Sequence, residues 1–335
     1  MWKAQKMRKR MSMRKISEML DAVRTVGIAG HIRPDGDCVG SCMAVRLYLE
    51  ENFPQLERVD VYLEEIPSSY HLLEGTDRII HDCSRPFEYD LFIALDCGDA
   101  RRLGDAARYL ESAKHTVCYD HHISNTGYAD ENYIFPDSSS TAEVVYHIME
   151  DEKISLAVAR ALYMGIVHDT GVFQYSCTKP ETLETAANLL RKGVDGNYII
   201  DTTFMEKSYV QNQIMGRALL ESIMVLDGTC IISAVKLKDM KFYGVKPADL
   251  DGIVSQLRLT RGVETALFLN EIGNQEYKVS MRSKEIVDVS EIARYFGGGG
   301  HVRAAGCTMQ GSFYDVVNNL TKHIEKQMKA AAKQS

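Results

Sequence analysis

Short apolar runs alternate with helical stretches through the first half of this chain, and the runs end in acids. "TVGIAGH" (25–31), "RVDVYLEE" (58–65), "DLFIALD" (90–96) and "HTVCYD" (115–120) read as strands. "DCVGSCMAVRLYLEE", "SSSTAEVVYHIMED" and "ISLAVARALYMGIV" have helical spacing. "TKPETLETAANLLRKG" is a bounded helix, with Thr178 as N-cap, Pro180 early and Gly193 past its end. Strands that alternate with helices leave few arrangements. The expected class is α/β, with a mostly parallel sheet and helices on both of its faces.

The pattern changes after about residue 225. "CIISAVKL", "VETALFLNEI" and "EYKVSMRS" read as strands, and "PADLDGIVSQLRL", "SEIARYF" and "FYDVVNNLTKHIEKQMKAA" as helices. The expectation is a first domain over 1–193, a helical connector over 194–224 and a second, smaller α/β domain over 225–330. The length of 335 residues suits two medium domains. Apart from "GGGG" at 297–300, no segment is of low complexity.

Charge narrows the function. Asp and Glu number 46 against 39 Lys and Arg, a formal net charge of −7. Proteins that wrap long nucleic acid draw affinity from neutralised phosphates and show basic excess. A small phosphate-bearing substrate, met by metal ions or a local basic patch, fits better than a long duplex. The eight Cys form no CxxC pair and suit a reducing cytoplasm, where Cys serves as a small buried hydrophobe. No apolar stretch reaches membrane-spanning length, so no membrane partner is expected. The basic start, "MWKAQKMRKRMSMRK", lacks the apolar core of a signal peptide and reads as a solvated tail or helix start. A homodimer is compatible with the chain, but no face announces one.

Four carboxylate-rich points carry the chemistry. "HIRPDGD" places His31, Asp35 and Asp37 after the first strand, on a turn made by Pro34 and Gly36. "ALDCGD" puts Asp96 at the end of the third strand, and "YDHH" puts Asp120, His121 and His122 at the end of the fourth. "GIVHDTG" ends an apolar helix in Asp169. In open α/β sheets ligands bind outside the carboxyl ends of the strands, where three of the four points fall. Any one such Asp is most often only the N-cap of the next helix, as Asp99 is expected to be for "ARRLGDAARYL". Four together imply one shared cluster. Bare carboxylates at that density repel, and divalent cations relieve them. Mixed His and carboxylate donors suit Mn²⁺, Fe²⁺ or Zn²⁺ better than Ca²⁺, with Mg²⁺ still open. The number of donors exceeds the need of one ion, and a two-metal site about 4 Å across serves phosphoryl chemistry.

In this order and spacing, "HIRPDGD", "ALDCGD", "YDHH" and "HDTG" resemble motifs one to four of the DHH phosphoesterase superfamily. "SMRSK…VDVSEIARYFGGGGHVRAAGC" resembles the DHH-associated domain. Length and domain pairing are most similar to the branch of bifunctional oligoribonuclease/pAp phosphatases. The resemblance implies that His31, Asp35 and Asp96 hold one Mn²⁺. It implies that Asp37, Asp96, His121 and Asp169 hold the other, with Asp96 bridging. His122 would touch the substrate phosphate, with Asp120 close behind it. Cys38 and His168 flank the motifs where smaller or more polar neighbours are expected.

For the second domain the resemblance implies a nucleotide-binding face and a catalytic cleft between the domains. The glycine run could be a flexible linker. Followed at once by "HVRAAG", it reads rather as an anion nest of backbone N–H groups at Gly298, Gly299 and Gly300, with His301 donating to a phosphate or stacking on a base. Arg282 would supply a bidentate phosphate contact, and Arg258 and Arg261 are weaker candidates. Tyr295 and Tyr175 could stack on bases; Phe296 reads as core. The expected activity is Mn²⁺-dependent hydrolysis of very short single-stranded RNA to mononucleotides, together with dephosphorylation of pAp. The alternative is a phosphodiesterase for c-di-AMP or linear pApA.

Overall fold

The computed structural model describes residues 14–333, so most of the basic start lies outside the described residues. The chain divides into two compact units, the first ending at Glu206 and the second beginning at Lys207. Stretch 194–224, read as one connector, is therefore shared between them.

The first unit is a five-stranded sheet with order β2-β1-β3-β4-β5. Its strands are β1 (Thr25–Ala29), β2 (Arg58–Tyr62), β3 (Leu91–Leu95), β4 (Thr116–Asp120) and β5 (Glu131–Ile134). Every pairing is parallel. The helices are α1 (Gly36–Asn52), α2 (Ala107–Ser112), α3 (Thr141–Ile148), α4 (Leu156–Asp169), α5 (Pro180–Arg191) and α6 (Gly196–Ile200). Alternation along β3 shows why both faces are covered. Leu91, Ile93 and Leu95 enter one core with α1, α3 and α4, while Phe92 and Ala94 enter the other with α2. Around β1 the order reverses: β2 lies on one side and β3 on the other. That switch point is where an open α/β sheet parts its loops and opens a crevice.

Two local readings are corrected. The residue before α5 is Lys179, whose N–H donates to the Thr182 hydroxyl, so Thr178 is not its N-cap. Strand β5 was not expected; it is a short edge strand whose "ENYI" opens with two adjacent polar residues and buries little. Asp99 does cap the turn after β3, accepting from the Arg101 N–H.

The second unit is a six-stranded sheet, order β10-β11-β9-β8-β7-β6. The strands are β6 (Ile223–Val225), β7 (Cys230–Val235), β8 (Thr265–Gly273), β9 (Glu276–Ser283), β10 (Gly299–His301) and β11 (Ala304–Gln310). Only β7 and β8 pair in parallel. Its helices are α7 (Tyr209–Leu220), α8 (Leu237–Tyr243), α9 (Ile253–Arg258), α10 (Val289–Tyr295) and α11 (Phe313–Ala332). One sheet face buries Tyr277, Val279, Met281, Ala305, Cys307 and Met309 with α10 and α11. Phe296 packs against this core, as expected.

Candidate metal centre

All four acidic points meet at the carboxyl end of the first sheet. Each is placed by a different local device. Asp35 is the N-cap of α1, and one of its oxygens accepts from the N–H groups of Asp37 and Cys38, both at 3.1 Å. Its other oxygen faces His31 Nε2 at 3.6 Å. The cap role and the site role are thus both filled, by opposite oxygens. Asp96 follows β3 with φ at +54°, a left-handed conformation that costs a non-glycine residue about 1 kcal/mol or more. The turn carries its carboxylate into the middle of the cluster. Asp120 closes β4 and presents His121 and His122 beside it. Asp169 is the last residue of α4, and the chain leaves it through three consecutive left-handed residues, Gly171, Val172 and Phe173.

The distances sort the donors into two neighbouring groups. His31 Nε2 lies 3.5 Å from Asp96 Oδ2, while His121 Nε2 lies 3.6 Å from Asp96 Oδ1 and 3.0 Å from Asp169 Oδ2. Donor atoms of Asp37, His121 and Asp169 all lie within 4.8 Å of one another, as do those of Asp96, His121 and His122. Asp96 therefore turns one oxygen to each group.

The electrostatics fit cations. Burial lifts the Asp37 carboxyl well above the usual carboxylate range, and the charges of Asp96 and Asp169 add to it. Burial also raises Asp169, although His121 opposes the rise. Burial opposes charge on His31, yet hydrogen bonds to Asp35 and Asp96 outweigh it and carry its pKa to about 12. His121 rises to about 10 against the same burial, through Asp169 and then Asp37 and Asp96. These acids demand more positive charge than two imidazoles supply comfortably. Divalent cations meet that demand and leave the imidazoles neutral, with lone pairs to donate. His31, Asp35 and Asp96 could hold one ion, and Asp37, Asp96, His121 and Asp169 a second.

Asp120 and His122 form a separate pair. His122 Nδ1 donates to Asp120 Oδ1 at 2.7 Å, and a carboxylate that only accepts fixes the proton on Nδ1. Asp120 is fully buried and also accepts from the His121 N–H and from Asn125 Nδ2. The bond to Asp120 raises the pKa of His122. Burial pushes Asp120 up, but His122 and Asn125 pull it below its ordinary value.

Sequence reasoning missed the start of α3. Both Asp37 oxygens accept from its first N–H groups, Thr141 at 2.6 Å and Ala142 at 2.9 Å. The Thr141 hydroxyl donates to Asp96 Oδ1 at 3.1 Å. One residue thus orients carboxylates of both donor groups. The signal was present as the cap-rich run "SSST" before an apolar helix, but it was read only for helical spacing. Thr141→Val keeps the shape and the N–H and removes the hydroxyl. Mn²⁺ affinity, followed by electron paramagnetic resonance, is expected to fall about tenfold or more, and Thr141→Ser to restore it. Unchanged affinity in the valine variant would refute this positioning role.

His168 also has a defined place. Its ring lies so close over the motif-one turn that a Cβ at Gly36 would come within 2.1 Å of it, and its Nε2 meets the Thr203 hydroxyl at 2.9 Å. It packs the turn rather than joining the donor groups.

With this geometry stand the comparisons with known proteins. The model of the DHH family, N-terminal domain, matches residues 25–166, and that of the DHHA1 domain matches residues 227–330. The chain carries a DHH domain followed by a DHHA1 domain. With that domain pair it is a hydrolase of phosphoric esters. This DHH protein is 27% identical over 310 residues to a probable bifunctional oligoribonuclease and PAP phosphatase NrnA of Streptococcus mutans, covering 90% of this chain and 97% of that one. It is 28% identical over 303 residues to the bifunctional oligoribonuclease and PAP phosphatase NrnA of Thermus thermophilus, covering 89% of each. Its fold matches the crystal structure of an exopolyphosphatase-related protein from Bacteroides fragilis with a TM-score of 0.85 and 24% identity, over 92% of this chain and 94% of that one.

In the DHHA1 unit the sheet register gathers the expected substrate residues. His301 pairs with Ala304 and Ala304 with Arg282; Gly299 pairs with Gly306 and Gly306 with Ser280; Thr308 pairs with Lys278. Strand alternation puts all of these on the face opposite the α10–α11 core, beside a second core that α7, α8 and α9 make with Ala266 and Phe268. The small residues flatten the face, and Arg282 and Lys278 charge it. Lys278 and Ser280 were not anticipated; the period-2 pattern through "EYKVSMRS" could have found them. One expectation changes. Gly299–His301 is an extended edge strand paired to β11, not the alternating-handed turn of an anion nest. The close pairing explains the glycines: a Cβ at Gly300, where φ is +140°, would meet the Ala304 carbonyl at 2.5 Å. Arg258 ends α9 and is half-buried, and Gly298 donates its N–H to Ala293 at the end of α10. Tyr295 is exposed and lies against His323, with ring centroids 4.4 Å apart. Tyr175, in the first unit, packs over Gly171. Among the described residues, no helix is long and apolar enough to cross a membrane.

Proposed function

We propose that this DHH protein is a Mn²⁺-dependent phosphoesterase that releases mononucleotides from very short RNA and converts pAp to AMP. The observation that carries the reading is the placement of Asp96, whose two oxygens face His31 on one side and His121 on the other. A shared carboxylate between two donor groups is what a pair of ions needs. When bound, two divalent cations neutralise phosphate oxygens and lower the pKa of water. His31, Asp35 and Asp96 hold the first ion in this reading, and Asp37, Asp96, His121 and Asp169 the second. His122, whose pKa the bond to Asp120 raises, donates from Nε2 in its protonated form to an oxygen of the substrate phosphate. The polar face of the DHHA1 unit, with Arg282 and His301 and the bare edge at Gly298, Gly299 and Gly300, takes a further phosphate or base. Arg258 is a peripheral contact. The names of the relatives from S. mutans and T. thermophilus support the choice of short RNA and pAp.

The test is a digestion of pApA, pAp and c-di-AMP in Mn²⁺, with products resolved by ion-exchange chromatography. AMP is expected from pApA and from pAp, with c-di-AMP left intact. Opening of c-di-AMP with pAp untouched would replace this reading by a cyclic-dinucleotide phosphodiesterase.

A further inference from the structure

Cys38 sits in the first turn of α1, one residue after Asp37, and is fully buried. Its backbone N–H is held by the Asp35 cap. Its sulfur occupies space that Gly30 leaves open, since a Cβ there would come within 2.2 Å of it. Held in that seat, Sγ lies 3.9 Å from the His31 carbonyl. A ring nitrogen of His31, Sγ of Cys38 and a carboxylate oxygen of Asp96 all lie within 4.8 Å of one another, and all three residues are buried. The proposed set for the first ion draws on His31, Asp35 and Asp96, and leaves this sulfur unused.

The geometry points to a second coordination mode at the same position: thiophilic divalent ions, Zn²⁺ and Cd²⁺, bind there through His31, Cys38 and Asp96, so that Cys38 sets the metal selectivity of the centre. This inference rests on the two-ion reading above. Hard ions such as Mn²⁺ take carboxylate, imidazole and water donors and gain little from sulfur. Zn²⁺ and Cd²⁺ accept a mixed nitrogen, sulfur and oxygen set, with four donors around a tetrahedron. The sulfur binds as thiolate, and its proton leaves to solvent. Cys42, one helical turn further on, lies against Cys38 but does not belong to the donor group. A sulfur that served only as buried packing would show no preference among ions.

The test is a titration of the full-length protein with Cd²⁺ in a Cys83→Ser/Cys177→Ser background, which removes the two partly exposed thiols. A sulfur-to-cadmium charge-transfer band in the near ultraviolet is expected, and loss of that band in both Cys38→Ser and Cys38→Ala. Cd²⁺ affinity is expected to fall about 10–100-fold in these variants, while Mn²⁺ affinity by paramagnetic resonance stays within about threefold. Cd²⁺ binding without the band, or a band that survives both substitutions, would overturn the role of Cys38 while leaving the Mn²⁺ centre intact. Binding of neither ion to the starting protein would overturn the two-ion reading, and this inference with it. The band in the unsubstituted Cys38 protein is informative even if one variant fails to fold.

Discussion

Asp96→Asn is expected to lower turnover about 10³-fold or more and to abolish the rise in melting temperature that Mn²⁺ is expected to give the unaltered protein. The substitution is chosen for its backbone. Residue 96 has φ at +54°, which Asn tolerates better than Ala, so the turn after β3 survives. The Thr141 hydroxyl still finds an oxygen to donate to. What disappears is the charge that faces both His31 and His121. In the ion-free protein the loss is nearly balanced: Asn removes a partner from the imidazoles, and it also relieves Asp37, whose carboxyl Asp96 helps push upward. The melting temperature without metal should therefore stay within a few degrees. With Mn²⁺ present the two proteins diverge, because an ion that binds only the folded state stabilises it by mass action. Scanning calorimetry with and without Mn²⁺, beside turnover of pApA, checks both halves. Turnover within tenfold of the unaltered protein would remove Asp96 from the centre of the mechanism, since several kcal/mol of charge stabilisation are assigned to it.

Much of this arrangement was legible because it is written in local patterns. The strands that end at Ala29, Leu95 and Asp120 are short apolar runs: the first leads into the His31–Asp37 turn, the second into Asp96, and the third ends in Asp120 itself. Parallel topology then brings those ends together without further information. What escaped was of two kinds. Short edge strands such as β5, β6 and β10 bury little and carry weak patterns; Gly299–His301 has almost no side chains from which to read a period. The other kind is long-range. The bond from the Thr141 N–H to Asp37 spans 104 positions, and neither residue alone signals it. The left-handed run at Gly171, Val172 and Phe173 belongs here too, since nothing in the preference of a β-branched Val would place it at φ +57°. Such strain is held by the packed ends of helices, which appear only when the fold is complete. The tripeptide at 120–122 shows both sides at once. Asp-His-His was visible as a cluster, and the resemblance implied separate roles for its members, but the contacts were not visible: His121 turns to Asp96 and Asp169, and His122 to Asp120 at 2.7 Å with Asp96 3.6 Å away.

That division makes the second large prediction. Asp120→Asn and His122→Ala are each expected to lower kcat/KM for pApA about 10²-fold or more at neutral pH, with Mn²⁺ binding retained. Neither side chain is assigned as an ion ligand, although His122 lies beside Asp96 and His121, so their loss should spare the affinity that Asp96→Asn destroys. The two residues act as one unit, so the double variant should be little worse than His122→Ala alone. The pH dependence has a definite sign. The bond to Asp120 raises the pKa of His122, which keeps the imidazolium donor present to higher pH. In Asp120→Asn that support is gone and the folded pKa falls back toward its ordinary value. The alkaline limb of the kcat/KM profile should then move to lower pH, and the deficit should grow as pH rises through that window. Profiles of the unaltered protein and of Asp120→Asn, taken with Mn²⁺ saturating, measure the displacement. A limb that stays in place while activity falls would mean that Asp120 serves the fold around Asn125 and His121 rather than the charge on His122.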